Sequence, residues 1–99
     1  MLYMIVTTDK PGSLALRRAT RPAHLAYLQT LVDQNRLFLA GARPKADSPT
    51  PTEDGFYGSL IVAEFDTLAQ AQAFAENDPY AQAGLFSNVL VQPLLKALP

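Results

Sequence analysis

The stretch Gly58-Ser59-Leu60-Ile61-Val62-Ala63-Glu64-Phe65 decides how this chain folds. Its run from Leu60 to Ala63 is short, apolar and bounded by turn-forming residues, the pattern of a buried strand. Side chains alternate across a strand, so Leu60 and Val62 share one face while Ile61, Ala63 and Phe65 share the other. Both faces are apolar. A strand with one face in water would alternate apolar with polar residues, so each side of this sheet calls for a cover.

Downstream, Thr67 with Gln70 three residues later reads as a capping box that opens a helix over Leu68–Glu76, with Leu68, Ala71, Phe74 and Ala75 as its buried face. Asn77 ends it. Asp78 then caps a further short turn with Pro79 in the first helical position, and Gly84 closes that turn. Phe86 to Leu95 forms the last strand, and Pro93 places it at an edge or a bulge.

Upstream lies Pro44 to Gly55, whose three prolines, serine and threonines make a long loop, either a lid or a plain connection. Before it, Leu37 to Ala42 reads as a strand in which Gly41 marks a bulge or a close approach. The main helix is expected from Pro22 to about Asn35, with Thr20 or Arg21 as its cap and Leu25, Leu28, Leu31 and Val32 as its buried stripe. His24 then falls in the first turn, at the stripe's edge. Ser13 caps a separate short turn through Leu16, and Leu2 to Thr8 is the first strand, stopped by Asp9-Lys10-Pro11-Gly12.

The element order is therefore β-α-β-β-α-β: an α+β, ferredoxin-like split-βαβ arrangement with two helices over one face of a four-stranded antiparallel sheet. Strand one repeats the two-sided pattern, with Leu2, Met4 and Val6 opposed to Tyr3 and Ile5. A second copy packed sheet on sheet is the economical cover, which predicts a homodimer through the open sheet face.

Ninety-nine residues at 48% hydrophobic make a single domain, residues 1–99. No cysteine is present, which removes disulfides, thiol nucleophiles and thiolate metal sites and fits a cytoplasmic location. The apolar start from Met1 to Val6 lacks a basic flank and is too short for a membrane span, so no membrane association is expected. Net charge is −1, but unevenly spread: residues 1–45 hold seven basic side chains against two acidic, and residues 46–99 one against seven. Arg17, Arg18 and Arg21 precede His24 and could hold a small anion, or form a solvated basic surface. With a pI near 5.6 and no basic stripe interleaved with aromatics, nucleic acid is not an expected partner.

His24 is the only histidine, so metal or haem binding lacks a second ligand and no cofactor is expected. Acid-base chemistry or a structural role remains. An imidazole with an ordinary pKa of about 6.5 can take and return a proton near neutrality. A helix N-terminus would favour its neutral form, and a carboxylate on one ring nitrogen would fix the tautomer and leave the other for substrate. Asp78 is the candidate carboxylate, although capping alone accounts for an aspartate before Pro79. Tyr80 and Ser59 are candidate donors to a ligand, as are Tyr3 and Tyr27, and Arg21 is the candidate partner of an anionic group. No Gly-x-Ser-x-Gly elbow supports a serine triad.

The initial Met-Leu-Tyr, the segment from Arg21 to Leu28, Leu39-Ala40-Gly41, Gly58-Ser59, and Asn77-Asp78-Pro79-Tyr80 with Ala83-Gly84-Leu85 together resemble the YciI-like (YCII-related) family across essentially the whole chain. The resemblance implies a dimeric α+β barrel and an active site centred on a histidine and an aspartate, carried over to His24 and Asp78. It also implies proton transfer of a lyase or isomerase type on small anionic or phenolic molecules, dehydrochlorination of a chlorinated hydroxyquinone being one instance. The alternative is a non-catalytic dimeric module that binds a ligand or a protein.

Overall fold

In the computed structural model, which describes residues 1–99, the chain runs β1 (Leu2–Asp9), α1 (Leu14–Asp33), β2 (Leu37–Pro44), α2 (Pro51–Asp54), β3 (Phe56–Glu64), α3 (Leu68–Glu76), α4 (Pro79–Gln82) and β4 (Phe86–Leu94). The four strands form one antiparallel sheet in the order β2-β3-β1-β4, the expected βαββαβ arrangement with two added single turns, α2 and α4. β4 pairs only with β1, so Pro93 sits on an edge strand where a missing N–H leaves no ladder partner waiting.

The register settles which side chains share a face. Tyr3, Ile5 and Thr7 of β1 lie opposite Ala63, Ile61 and Ser59 of β3, and all six are buried beneath the helices. With Leu28, Leu31, Phe65, Ala71 and Ala75 their apolar members build the core. On the reverse face lie Leu2, Met4 and Val6, Leu60 and Val62, Leu39, and Leu90 and Leu94. No helix covers that side.

The main departure from expectation is α1, which is one helix of 20 residues with Pro22 inside it. Pro22 therefore does not open a helix, and neither Thr20 nor Arg21 is a cap. Proline in a helix interior deprives the carbonyl four residues earlier, that of Arg18, of its partner and costs roughly 3 kcal/mol. The helix continues because its buried residues Arg17, His24, Leu28 and Leu31 follow one helical face across the proline, while Pro22 itself is exposed to water. The stripe consequently differs from the expected one: Leu25 and Val32 are exposed, and His24 lies within the buried face rather than at its edge.

Both ends of α1 are closed by backbone geometry. Ser13 is the N-cap residue, but its hydroxyl donates to the Lys10 carbonyl at 2.6 Å instead of accepting from the helix. At the other end Asn35 takes a left-handed φ of 56°, with Asn35 N–H on the Val32 carbonyl and Arg36 N–H on the Leu31 carbonyl. That is a Schellman closure with asparagine in the usual glycine place. The Thr67 half of the capping box of α3 forms as expected, its hydroxyl accepting from Gln70 N–H at 3.1 Å, while the Gln70 side chain accepts from Asp66 N–H at 3.2 Å, one residue before the cap. Its buried face is narrower than expected, since Leu68 stays exposed while Ala71 and Ala75 are covered.

Two glycines differ in their roles. Gly41 stays in register opposite Leu60 and a Cβ there would meet nothing within 4 Å, so it marks neither a bulge nor a close approach within the chain. The irregularities of β2 fall instead between Leu37 and Leu39 and between Arg43 and Pro44. At Gly58, by contrast, a Cβ would overlap the Thr7 carbonyl and crowd the Arg43 guanidinium, which crosses β3 to donate to the Thr7 carbonyl at 2.5 Å. No helix is long and apolar enough to cross a membrane.

Candidate active site

The unbroken helix α1 sets the position of His24, its eleventh residue. The partial charge of a helix end acts within the first turn, so the expected influence of the N-terminus on the imidazole drops out. What reaches His24 is Asp78. Its two carboxylate oxygens lie 2.8 and 2.9 Å from His24 Nδ1, and both side chains are at least nine-tenths buried. The contact joins residues 54 apart in sequence, across the packing of α1 on α4.

Asp78 performs both tasks the sequence offered as alternatives. Its Oδ1 also accepts from Tyr80 N–H at 2.9 Å, capping α4, and Pro79 occupies the first helical position. A carboxylate accepts several hydrogen bonds, so capping and orientation do not compete. With Asp78 on Nδ1, the ring carries its proton on that side and Nε2 is the free nitrogen.

The Tyr80 ring stacks on His24 with centroids 4.0 Å apart and planes 18° apart. On Tyr80, too, lies the guanidinium of Arg17, 4.8 Å from the ring centroid, and the same guanidinium is 4.9 Å from the Phe56 ring. Tyr80 is about 1% exposed. Burial pushes its phenol above the usual tyrosine range, against the opposing pull of Arg17 and then Arg21. Tyr80 is therefore a neutral O–H group at physiological pH. Tyr27, one helical turn beyond His24, is likewise raised, to about 12, by burial and then by the Asp78 charge, and donates to the Phe74 carbonyl at 2.8 Å.

His24, Tyr80, Arg17, Arg21 and Ser59 line one cavity of about 130 Å³, closed further by Leu25, Leu28 and Ile61 and by the Ala40–Ala42 segment of β2. The structure thus brings His24, Tyr80, Arg21 and Ser59 to one cavity, with Asp78 behind His24. Tyr3 goes to the core and Tyr27 to a contact with α3, so neither lines the cavity. The loop from Lys45 to Gly55 does not line it either; it packs near the start of α1, where Arg18 donates to the Thr52 carbonyl at 2.8 Å. Of the three arginines, Arg18 is thus engaged at the surface and Arg21 stands exposed at the cavity.

Arg17 is the residue that reading the sequence undervalued. Grouped there with a basic surface, it is only 4% exposed, donates to both Asp9 oxygens at 2.8 and 3.1 Å, and donates to Ser59 Oγ at 2.6 Å. Its seven-residue spacing from His24 was the available signal, hidden by the proline between them. No three His, Cys, Asp or Glu side chains converge to hold a metal ion.

Comparisons with known proteins give the chain's family and match its fold. The chain is 50% identical over 96 residues to the protein YciI of Escherichia coli O6:H1, covering 97% of this chain and 98% of that one. It is 43% identical over 96 residues to an uncharacterized protein of Haemophilus influenzae, with the same coverage. Among solved structures it is similar to 5-chloro-2-hydroxyhydroquinone dehydrochlorinase from Burkholderia phenoliruptrix AC1100, in complex with 2,5-dihydroxybenzoquinone. The TM-score is 0.88 at 34% identity, covering 98% of this chain and 96% of that one. The family model for the YCII-related domain matches residues 1–95, and the chain belongs to that family.

Proposed function

We propose that this protein catalyses proton transfer on a small, single-ring phenolic or anionic substrate, with His24 as general acid/base and Asp78 as the group that orients it. The observation that carries the reading is the buried His24–Asp78 pair, held at 2.8 Å, on the wall of a cavity that also offers Tyr80, Ser59 and Arg21. A void of about 150 Å³ accepts benzene, so a cavity of this size has room for one six-membered ring. The likeness to a dehydrochlorinase bound to a dihydroxybenzoquinone supports the same substrate class.

In this reading Nε2 takes a proton from a ring hydroxyl, and the imidazolium, stabilised by Asp78, returns it to a ring carbon, converting enol to ketone. Where that carbon bears chloride, His24 then takes the proton of a second ring hydroxyl conjugated to it, the new carbonyl forms, the ring double bond shifts and chloride leaves with the bonding electrons, so the products are a quinone and HCl. Proton transfers of this kind are accelerated about 10²–10⁴-fold by a positioned imidazole. Arg21 and the Tyr80 hydroxyl would hold the ring oxygens. The reaction needs no oxidant and no cofactor.

The functional unit is a homodimer closed through the uncovered sheet face. Leu2, Met4, Val6, Leu60 and Leu90 share that uncovered face, an apolar set that a second sheet would cover. The deciding experiment for the activity is chloride release from 5-chloro-2-hydroxyhydroquinone together with exchange of ring hydrogens for deuterium on 2,5-dihydroxybenzoquinone. Both are expected to be protein-dependent and abolished in His24→Ala. Rates equal to buffer, or equal rates in wild type and variant, reject the assignment.

A further inference from the structure

Ser59 lies in β3 under the helices, about 3% exposed, and its surroundings commit it to one orientation. Its backbone N–H donates to Thr7 Oγ1 at 3.0 Å, which fixes the strand at that point. Its Oγ accepts a 2.6 Å hydrogen bond from Arg17 Nη2, a charge-assisted contact. The same hydroxyl still has a hydrogen of its own to donate. No acceptor in the chain takes that hydrogen, and Ser59 lines the cavity that contains His24.

Arg17 is held from several sides. Asp9 engages Nη1 through both oxygens, the two side chains are 5% and 4% exposed, and the guanidinium is flanked by the Phe56 and Tyr80 rings. An ion pair buried to this degree carries a desolvation penalty that often matches or exceeds its attraction, so stability alone is a weak reason for it. Its remaining hydrogen bond goes to the cavity wall.

We propose that Asp9, Arg17 and Ser59 form a second polar relay in this site, in which Arg17 is a positioning residue that commits the Ser59 hydroxyl hydrogen to an oxyanion of the ring ligand. The relay deepens the function proposed above and rests on it. Arg17 supplies the charge and Asp9 holds it still. Ser59 makes the contact, and Arg17, which also lines the cavity, acts through it. The charged and titratable groups around the bound oxyanion are then Arg17, Arg21 and His24 from α1, Tyr80 from α4, Asp9 from β1 and Asp78 before α4. A donor polarised by a buried cation favours the ionised form of a ligand hydroxyl.

The test uses 4-nitrocatechol, a single-ring diol whose absorbance reports its ionisation, titrated into the full chain across a pH series. The expected result for wild type is binding with the anion band appearing at lower pH than in free ligand. Ser59→Ala is expected to weaken binding about tenfold, the worth of one charge-assisted hydrogen bond, and to move the band back toward the free-ligand pH. Because Arg17→Met alone would strand a buried carboxylate, the matching variant is Asp9→Asn with Arg17→Met, which removes both charges together. It is expected to show the same tenfold loss and the same band movement, and the triple variant is expected to be no weaker than either, since the residues act as one unit. Ser59→Ala within twofold of wild type, losses that add to about a hundredfold in the triple variant, or a band position unmoved by either change overturns the relay. Wild type that binds no nitrocatechol at millimolar concentration rejects the ring-ligand reading itself, and the relay falls with it.

Discussion

His24 Nδ1 lies 2.8 Å from Asp78 Oδ1, the same oxygen that accepts the Tyr80 N–H at 2.9 Å, so one carboxylate both orients the imidazole and starts the turn that carries its stacking partner. The two roles separate by substitution. Asparagine retains an oxygen that can cap but no charge to stabilise an imidazolium, and it can present either tautomeric partner to Nδ1. Asp78→Asn is expected to lose on the order of 10²–10⁴-fold in turnover, whereas Asp78→Ala loses the cap as well, a further ~1 kcal/mol of stability. Thermal melts beside single-turnover rates check this; equal rates in wild type and Asp78→Asn would leave Asp78 as a cap alone.

Pro22 lies inside α1 on its exposed side, where its ring nitrogen has no hydrogen to donate. Pro22→Ala is expected to stabilise the chain by about 1–3 kcal/mol, because the Arg18 carbonyl regains its N–H partner. For a domain of this size the melting temperature rises by roughly 4–8 °C per kcal/mol. A lower melting temperature would show that the proline sets a bend the packing needs.

Gly58 faces the opposite demand. A Cβ there overlaps the Thr7 carbonyl, so Gly58→Ala is expected to push β1 and β3 apart and displace Arg43. The expected cost is about 3 kcal/mol or more, in the class of overpacked sites. Denaturant titration with unchanged midpoint would contradict the close approach.

Tyr27 ties stability to alkaline pH. Its phenol is raised to about 12 by burial and then by Asp78, against an ordinary value of 10.0, so the folded chain holds this proton more tightly than the unfolded chain. The resulting stabilisation is present in full below pH 10 and is lost as pH rises from about 10 to about 12. Denaturant melts across that window should show falling stability, and Tyr27→Phe should flatten the slope while losing roughly 1 kcal/mol at neutral pH with the bond to the Phe74 carbonyl. An equal slope in the variant would point to other groups.

The uncovered sheet face predicts a sedimentation mass of two chains. Val6→Lys, at the centre of that face opposite Leu60 and Leu90, is expected to yield single chains that keep their secondary structure, because a lysine cannot be buried there unpaired. A wild-type mass of one chain would refute the dimer.

Most of the frame was legible because its signals are local. Thr67 and Gln70, Asp78 and Pro79, and the two-sided runs of β1 and β3 act over one to four residues, and each formed where its chemistry placed it. His24 stood out as a candidate because it is one histidine among 99 residues, and Asp78 as its proposed partner came from the resemblance to the family. The length of α1 was misread at Pro22. Proline ends a helix on local grounds, and the continuous buried face from Arg17 to Leu31 that overrides it becomes visible only when the sheet beneath is in place.

The chain's local chemistry by itself determined the order of the strands and main helices, the caps of α3 and α4, and the apolar load on both sides of the sheet. Only the tertiary structure decided that His24 meets Asp78 across 54 residues, and that Arg17 leaves the surface to hold Ser59. The physical reason is one of range. Capping and alternation are encoded between neighbours, while a buried hydrogen bond between α1 and the start of α4, or between α1 and β3, depends on the distance at which helices pack on the sheet, which no single stretch of sequence contains.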